Sequence, residues 1–150
     1  MTKDSVIVLY HDRTLEEQTD LEGVIFENDW EYLQQATYKN PIFAEYKIVS
    51  LDQLFEHLKN VKDYKFLLDF KLYQSDHSDS YVSAFVEALI KVIDKHQMED
   101  HVLPTVYRTE YLIKLKSLRP NIKLAVSTGC LLYTSPSPRD ATLSRMPSSA

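Results

Sequence analysis

Glycine is nearly absent from this 150-residue chain, in which Gly23 and Gly129 are the only two, whereas glycine usually makes up about 7% of a globular protein. A phosphate-binding P-loop and a dinucleotide-binding fingerprint each need several glycines at fixed spacing, so both are excluded. A single cysteine, Cys130, excludes an intrachain disulfide. No apolar run approaches the roughly 20 residues of a membrane-spanning helix, so we expect no transmembrane segment.

Positive charge is also in short supply. The 17 basic residues are outnumbered by 22 acidic ones, which gives a formal net charge of −5. An acidic chain gains no general attraction to nucleic acid, so we expect no nucleic-acid partner. The composition, 44% hydrophobic and 26% charged, is typical of a globular domain. The sequence leaves the oligomeric state and the compartment open, with the cytoplasm favoured.

The last part of the chain differs in composition from the rest. Residues 130–150 are rich in Ser, Pro, Thr and Arg and show no hydrophobic periodicity. Three consecutive pieces of this tail can be reverse-translated into a sequencing transposon end, the adapter that follows it and the flow-cell end of that adapter. We therefore interpret residues 130–150 as a disordered, non-native tail and exclude them from the fold. A natural disordered terminus is the alternative.

Strand-like and helix-like segments alternate through residues 1–129. Short apolar runs predict strands, and apolar residues at helical spacing behind capping residues predict helices. The predicted strands are residues 5–11, 65–71, 102–107 and 122–127; the predicted helices are residues 28–36, 50–60, 79–96 and 109–120. Apolar strands alternating with helices indicate an α/β fold with a parallel sheet. The pattern alone does not separate a barrel from an open sheet.

Polar residues stand at the carboxyl ends of the first two strands. His11 and Asp12 end the first, and Asp69 and Lys71 end the second. Parallel α/β folds bind ligands at these ends. Asp69 and Lys71 are two residues apart and so share a strand face, where burying opposite charges is costly unless they bind something. The pattern also fits a loop histidine and a solvated strand end, and both interpretations stay open.

The order of these motifs resembles the glycerophosphodiester phosphodiesterase family. In that family a strand ends in His-Asp and leads through Thr-Leu and a Thr-rich loop to a glycine; residues 11–23 read HDRTLEEQTDLEG. The family's next helix start matches SLDQLF at residues 50–55, and its strand ending in Glu-x-Lys is matched by Asp69-Phe70-Lys71. A later strand, turn and helix resembles residues 102–120, with Tyr107 where the family often has Phe. The resemblance covers nearly all of residues 4–129.

This resemblance implies a TIM barrel with its active site at the carboxyl ends of the strands. The chain would be a partial barrel holding roughly strands two to five and the intervening helices. The implied reaction is hydrolysis of a small-molecule glycerophosphodiester to an alcohol and glycerol 3-phosphate. His11 would be a general acid or base at the leaving alcohol, and Lys71 would neutralise charge on the phosphate oxygens. Asp69 would be a ligand of a divalent metal, Mg²⁺ or Ca²⁺.

The chain departs from the family pattern in three respects. Asp69 is one methylene shorter than the family's Glu, and Glu17 and Gln18 stand where an Arg often follows the His-Asp loop. The family's opening His-Arg-Gly and Glu-x-Asp motifs, which supply the first catalytic histidine and two metal ligands, have no counterpart upstream of Asp4. We therefore expect residues 1–129 to be an inactive, aggregation-prone fragment.

The other histidines offer no clear replacement for the missing one. We predict ordinary surface roles for them, with His77 the best candidate because it follows the Asp69 strand; they are His57, His77, His96 and His101. Other functions also stay open. The parent protein could be a related barrel enzyme, such as a phospholipase-D-like toxin or a phosphoinositide phospholipase C relative. It could be a non-catalytic homologue that binds phosphodiesters or a partner, or the chain could be an unrelated flavodoxin-like domain.

Overall fold

A computed structural model of the chain describes residues 1–59, 64–72 and 78–127. The predictions that concern His77, Gly129 and the tail 130–150 lie outside these residues. The helices and strands are, in chain order, β1 (Val8–Leu9), α1 (Trp30–Leu33), β2 (Val49–Ser50), α2 (Leu51–His57), β3 (Phe66–Asp69), α3 (Asp79–His96), β4 (Val102–Val106), α4 (Thr109–Leu118) and β5 (Ala125–Val126). None of the helices in the described ranges is long and apolar enough to cross a bilayer.

Three of the strands form a parallel sheet in the order β3-β4-β5. Phe66 aligns with Val102 and Asp69 with Thr105, and Thr105 aligns in turn with Ala125. Helix α3 connects β3 to β4, and α4 connects β4 to β5. The predicted alternation of strands and helices is therefore confirmed from residue 66 to residue 126, and it positions the carboxyl ends of neighbouring strands at one edge of the sheet.

Helix α3 shows why the sequence pattern was informative here. Its buried residues are the six that recur at helical spacing, namely Val82, Phe85, Val86, Leu89, Ile90 and Ile93. The Ser78 side chain caps its first turn by accepting from the Tyr81 amide, and Gln97 ends it in the left-handed conformation at φ 55°. The apolar stripe packs on α2, α4 and the sheet in the main hydrophobic core.

Strand β3 has one buried face and one exposed face. Phe66 and Leu68 pack against the main core, and Phe70 just beyond the strand is buried in it. The alternate positions face away from the helices: Leu67 is 64% exposed, and Asp69 and Lys71 are exposed as well. We call the side of β3 that carries Leu67, Asp69 and Lys71 the open face.

The first predicted strand differs from the prediction. Only Val8–Leu9 is a strand, and it pairs antiparallel with β2, with Val8 opposite Ser50 and Leu9 opposite Val49. The chain between β1 and β2 folds back, so that Val49–Ser50 lies beside β1 and the Leu51 amide donates to the Ile7 carbonyl at 2.8 Å. Within the described residues, β1 therefore pairs with β2, whereas the prediction had placed it in the parallel sheet.

Helix α2 begins with the predicted cap and is joined to α3 by a polar contact that was not predicted. Ser50 and Gln53 form a reciprocal capping box. Asp52 then accepts from Lys95 at 2.6 Å and lies 2.8 Å from His96 Nε2. The His96 side chain is only 6% exposed and meets the Phe55 ring edge-on, so the surface role predicted for His96 is wrong. His57 is exposed as expected.

Smaller differences concern element ends. Helix α1 is four residues long instead of the predicted nine. Leu33 at its end and Ala36 beyond it are buried together with Leu15 and Ile48 in a small second core, which this short helix is sufficient to form. Helix α4 is preceded by Arg108 at the capping position, not by Thr109. Leu118, at the end of α4, is 38% exposed.

Candidate functional site

The residues after β1 place a histidine and a carboxylate side by side. His11 Nδ1 lies 2.7 Å from Asp12 Oδ1, with the imidazole 73% exposed and the carboxylate 17% exposed. This contact, together with a hydrogen bond from Gln18, lowers the pKa of Asp12. A carboxylate bound to Nδ1 fixes the orientation of the imidazole and leaves Nε2 available for proton transfer. His11 is thus an exposed, oriented imidazole.

The loop that follows is ordered by its own side chains. Thr14 and Glu17 form a capping box on a short 3-10 helix, Leu15–Glu17, and Thr19 Oγ1 donates to the Leu15 carbonyl at 2.8 Å. Gly23 adopts φ 98°, which non-glycine residues rarely accept, and its amide donates to Glu16 Oε2 at 3.0 Å. These contacts hold residues 11–23 in one conformation beside the end of β1.

Tyr10 anchors the strand side of this loop. Its hydroxyl donates to the carbonyls of Thr14 and Leu15 at 3.2 and 3.1 Å. Burial, with a further contribution from the Asp12 charge, raises the pKa of Tyr10 to about 12. Tyr10 is therefore a neutral hydrogen-bond donor at ordinary pH and supports the position of the neighbouring His11.

The second motif forms an ion pair on the open face. Lys71 Nζ lies 2.5 Å from Asp69 Oδ2, and the two side chains are 34% and 47% exposed respectively. The pair shares a face because the residues are two apart in an extended segment, as predicted. An exposed pair of this kind contributes little to stability, so its position at the end of β3 is better suited to ligand contact than to holding the fold together.

The structure brings all three predicted site residues to one cleft. His11, Asp69 and Lys71 line a cleft of about 840 Å³, together with Asp12 and Gln18 from the loop. Two cationic side chains that sequence reasoning missed, Arg13 and Lys47, line the same cleft. Arg13 adjoins the His-Asp pair in sequence and could have been considered; Lys47 lies in a stretch with no recognisable motif.

A second cleft of about 750 Å³ lies beside α2 and α3. Its charged lining mixes acids with lysines and includes Asp52, Glu87, Lys91 and Lys95. Two of these, Asp52 and Lys95, are already paired with each other. This cleft contains none of the predicted site residues.

A metal ion at Asp69 would need further donor groups close to this carboxylate. Among residues 1–59, 64–72 and 78–127, no three or more His, Cys, Asp or Glu side chains are grouped so that they could hold a metal ion. Mg²⁺ and Ca²⁺ require six or more oxygen ligands. The protein supplies some of these ligands, and water supplies the others. The described residues therefore do not form a metal site by themselves, and Asp69 is instead paired with Lys71.

Comparison with known structures agrees with the partial-barrel topology. A glycerophosphodiester phosphodiesterase crystal structure from Galdieria sulphuraria superposes with a TM-score of 0.72 at 24% identity, covering 93% of this chain and 53% of that one. A phosphodiesterase from Oleispira antarctica, solved with the product sn-glycerol-3-phosphate, gives 0.69 at 21% identity, covering 84% and 49%. The chain is a partial TIM barrel of α/β class.

Sequence comparisons give the family. A protein named glycerophosphodiester phosphodiesterase from Bacillus altitudinis is 26% identical over 134 residues, which cover 89% of this chain and 54% of that protein. The chain thus spans about half the length of the curated relatives it matches. The model of the glycerophosphoryl diester phosphodiesterase family matches residues 1–143. The chain belongs to the glycerophosphoryl diester phosphodiesterase family.

Proposed function

We propose that this chain is part of an enzyme that hydrolyses glycerophosphodiesters to an alcohol and glycerol 3-phosphate. The observation that carries the proposal is that His11, Asp69 and Lys71, from two separate segments of a chain of this family, line one cleft. The solved relative from Oleispira antarctica holds sn-glycerol-3-phosphate, which is the product that such a reaction would release.

His11 and Lys71 have different roles in the proposed reaction. Water adds to phosphorus and the bond from phosphorus to the alcohol oxygen breaks; His11, oriented by Asp12, gives the departing oxygen a proton from Nε2. The Lys71 ammonium neutralises negative charge on the non-bridging phosphate oxygens. The base that takes the proton from water comes from the part of the parent protein that this chain does not cover.

Asp69 is proposed as one oxygen ligand of a divalent cation, Mg²⁺ or Ca²⁺. Its carboxylate is accessible from the cleft, but the described residues supply no complete ligand set. The remaining ligands are therefore proposed to lie outside them. Because this ligand set is incomplete, we propose that the chain alone does not catalyse the reaction.

A chimeric protein tests this function. The segment of the Bacillus altitudinis relative that this chain matches is replaced by this chain, and hydrolysis of glycerophosphoethanol, whose alcohol carries no charge, is measured. We expect activity, and we expect His11→Gln to lower kcat about 100-fold or more with little change in KM, because proton transfer to the leaving alcohol is lost. His57→Gln, on the exposed side of α2, is the matched control. An active chimera that tolerates His11→Gln would contradict the role of His11.

One observation favours a second candidate, a phosphodiester-binding homologue without catalysis. The carboxylate at the proposed metal position is a shorter Asp that already pairs with Lys71. In that case the chimera would bind glycerol 3-phosphate but would show no metal-dependent turnover, and restoring the family's Glu by Asp69→Glu would not raise its activity.

A further inference from the structure

Three apolar side chains project from the loop between α1 and β2. Ile42 is 76% exposed, Phe43 is 49% exposed and Tyr46 is 63% exposed. They lie within five residues of one another, and the Phe43 and Tyr46 rings are 6.3 Å apart. We call these three residues the apolar lip. Contiguous exposed apolar groups on a folded protein commonly mark a binding surface.

The lip is held in a defined conformation by its backbone. Asn40 caps a 3-10 helix, Pro41–Phe43, and its side chain accepts from the Ile42 amide at 3.0 Å. The Phe43 amide donates to the Asn40 carbonyl, and the Tyr46 amide donates to the Phe43 carbonyl, both at 2.9 Å. Binding to such a surface requires little ordering of the chain, so apolar contact there is retained as affinity.

The lip is continuous with the candidate site. Phe43 and Tyr46 line the same cleft as His11 and Lys71. The same cleft is lined by further apolar side chains, including Leu9, Phe26 and Leu67. A ligand whose phosphate contacts Lys71 can therefore extend along apolar surface towards the lip.

The charges of the cleft decide which kind of ligand fits. Two carboxylates line it, Asp12 and Asp69, and they contact His11 and Lys71 respectively. Arg13 and Lys47 add further positive charge to the lining. A cationic head group would meet this excess of positive charge, whereas an anionic phosphate is attracted by it. The three lip side chains carry no charge, and the exposed Glu45 stands between Phe43 and Tyr46 in the chain.

We propose that the apolar lip binds an apolar group on the alcohol of the substrate, which makes this chain selective for glycerophosphodiesters of hydrophobic alcohols. The inference rests on the proposed function, because it assumes that the phosphodiester lies in the cleft. Phe43 and Tyr46, the two lip residues that line the cleft, are specificity-determining residues in this proposal and take no part in the chemical step.

Calorimetric titration of the chimeric protein carrying His11→Gln, which slows hydrolysis of the probes, tests the inference with two monomeric probes. Glycerophosphohexanol and glycerophosphoethanol share the phosphodiester and differ by four methylenes. We expect the hexyl probe to bind about tenfold more tightly, which is the effect of partly burying those methylenes. The double variant Phe43→Ser, Tyr46→Ser, at the two lip residues that line the cleft, is expected to abolish the preference. Ile113→Ser, at a 69% exposed position on α4 outside the cleft, is the matched control and is expected to retain it.

The outcomes separate the inference from the proposed function. If both probes bind equally and Lys71→Met weakens the binding of both, the proposed function stands and the proposed role of the lip is overturned. A preference for the hexyl probe that survives the double variant also overturns the role of the lip, because the hexyl group then lies elsewhere in the cleft. Lip-dependent binding to phosphatidylcholine vesicles with no probe preference would show a membrane contact instead. Failure of either probe to bind, or binding unaffected by Lys71→Met, would overturn the proposed function and the inference with it.

Discussion

The two faces of strand β3 differ in their roles: one packs in the hydrophobic core, and the other carries the polar residues of the candidate site. On one face Phe66, Leu68 and the following Phe70 pack against α3 and the rest of the main core. On the other, the open face, Leu67, Asp69 and Lys71 are exposed. All three line the candidate cleft, which Leu68 and Phe70 of the buried face also border. Alternate residues of one segment thus have opposite environments. We expect substitutions on the first face to affect folding and substitutions on the second to affect ligand binding.

The largest expected effect breaks the buried face. Phe70 is 7% exposed and meets the Phe85 ring edge-on, with ring centroids 5.1 Å apart. Phe70→Ala should lower the free energy of unfolding by about 3 kcal/mol or more, because it removes buried apolar surface and leaves a cavity. Leu67→Ala, three residues earlier on the open face, should change it by less than about 0.5 kcal/mol. Urea denaturation followed by circular dichroism measures both; similar losses would remove the distinction between the faces.

The next effect concerns binding on the open face. Lys71→Met should weaken binding of sn-glycerol 3-phosphate about tenfold, since a charge-assisted contact to the phosphate is lost. Its unfolding free energy should change little, because the Asp69–Lys71 pair is exposed. Lys123→Met, at an exposed position outside the cleft, serves as the control in the same calorimetric titration. Equal affinity of the two variants would argue against a phosphate contact at Lys71.

The smallest effect compares two carboxylates, one on each side of the sheet. Hydrogen bonds from Lys95 and then His96 lower the pKa of Asp52. A lowered pKa gives stability that is present above the unfolded chain's value, near pH 4, and is lost as the pH falls through the folded value. Because the Asp52 side chain is 41% exposed, this contribution should be under about 1 kcal/mol.

Acid denaturation of two variants checks that comparison. Asp52→Asn should be less stable than the native chain at pH 7, and the difference should shrink as the pH falls below about 4. Asp69→Asn should match the native chain at pH 7, since its ion pair with Lys71 is exposed and joins residues only two apart in the chain. A loss of stability in Asp69→Asn as large as that in Asp52→Asn would mean that the open-face pair also stabilises the fold.

Local signals in the sequence were enough for the sheet-and-helix part of the chain. The helical spacing of Val82 to Ile93 predicted the buried stripe of α3, and Ser50 was predicted as the cap of α2, which the structure extends to a capping box with Gln53. Contacts between distant segments were not predictable in this way. The β1–β2 pairing depends on a two-residue strand that has no periodicity, and His96 is buried because of Asp52, which lies 44 residues earlier.

The candidate site shows the same limit. The His-Asp and Asp-x-Lys motifs and their positions after strands could be read from the sequence, and the structure places all of these residues along one cleft. The cleft's additional cations and its apolar lip were missed, because Lys47, Ile42 and Phe43 lie in a loop whose course depends on the packing of Leu33, Ala36 and Ile48. No short-range pattern encodes that packing.

The central claim, that the open face and the His11 loop together form a phosphodiester site, is tested most directly by nuclear magnetic resonance. The chain is titrated with sn-glycerol 3-phosphate while the backbone amide and histidine ring signals are followed. We predict saturable shifts centred on His11, Asp69 and Lys71, with no matching shifts around Lys91 and Lys95 in the second cleft. Shifts confined to the second cleft, or no saturable shifts at His11 and Lys71, would contradict the claim.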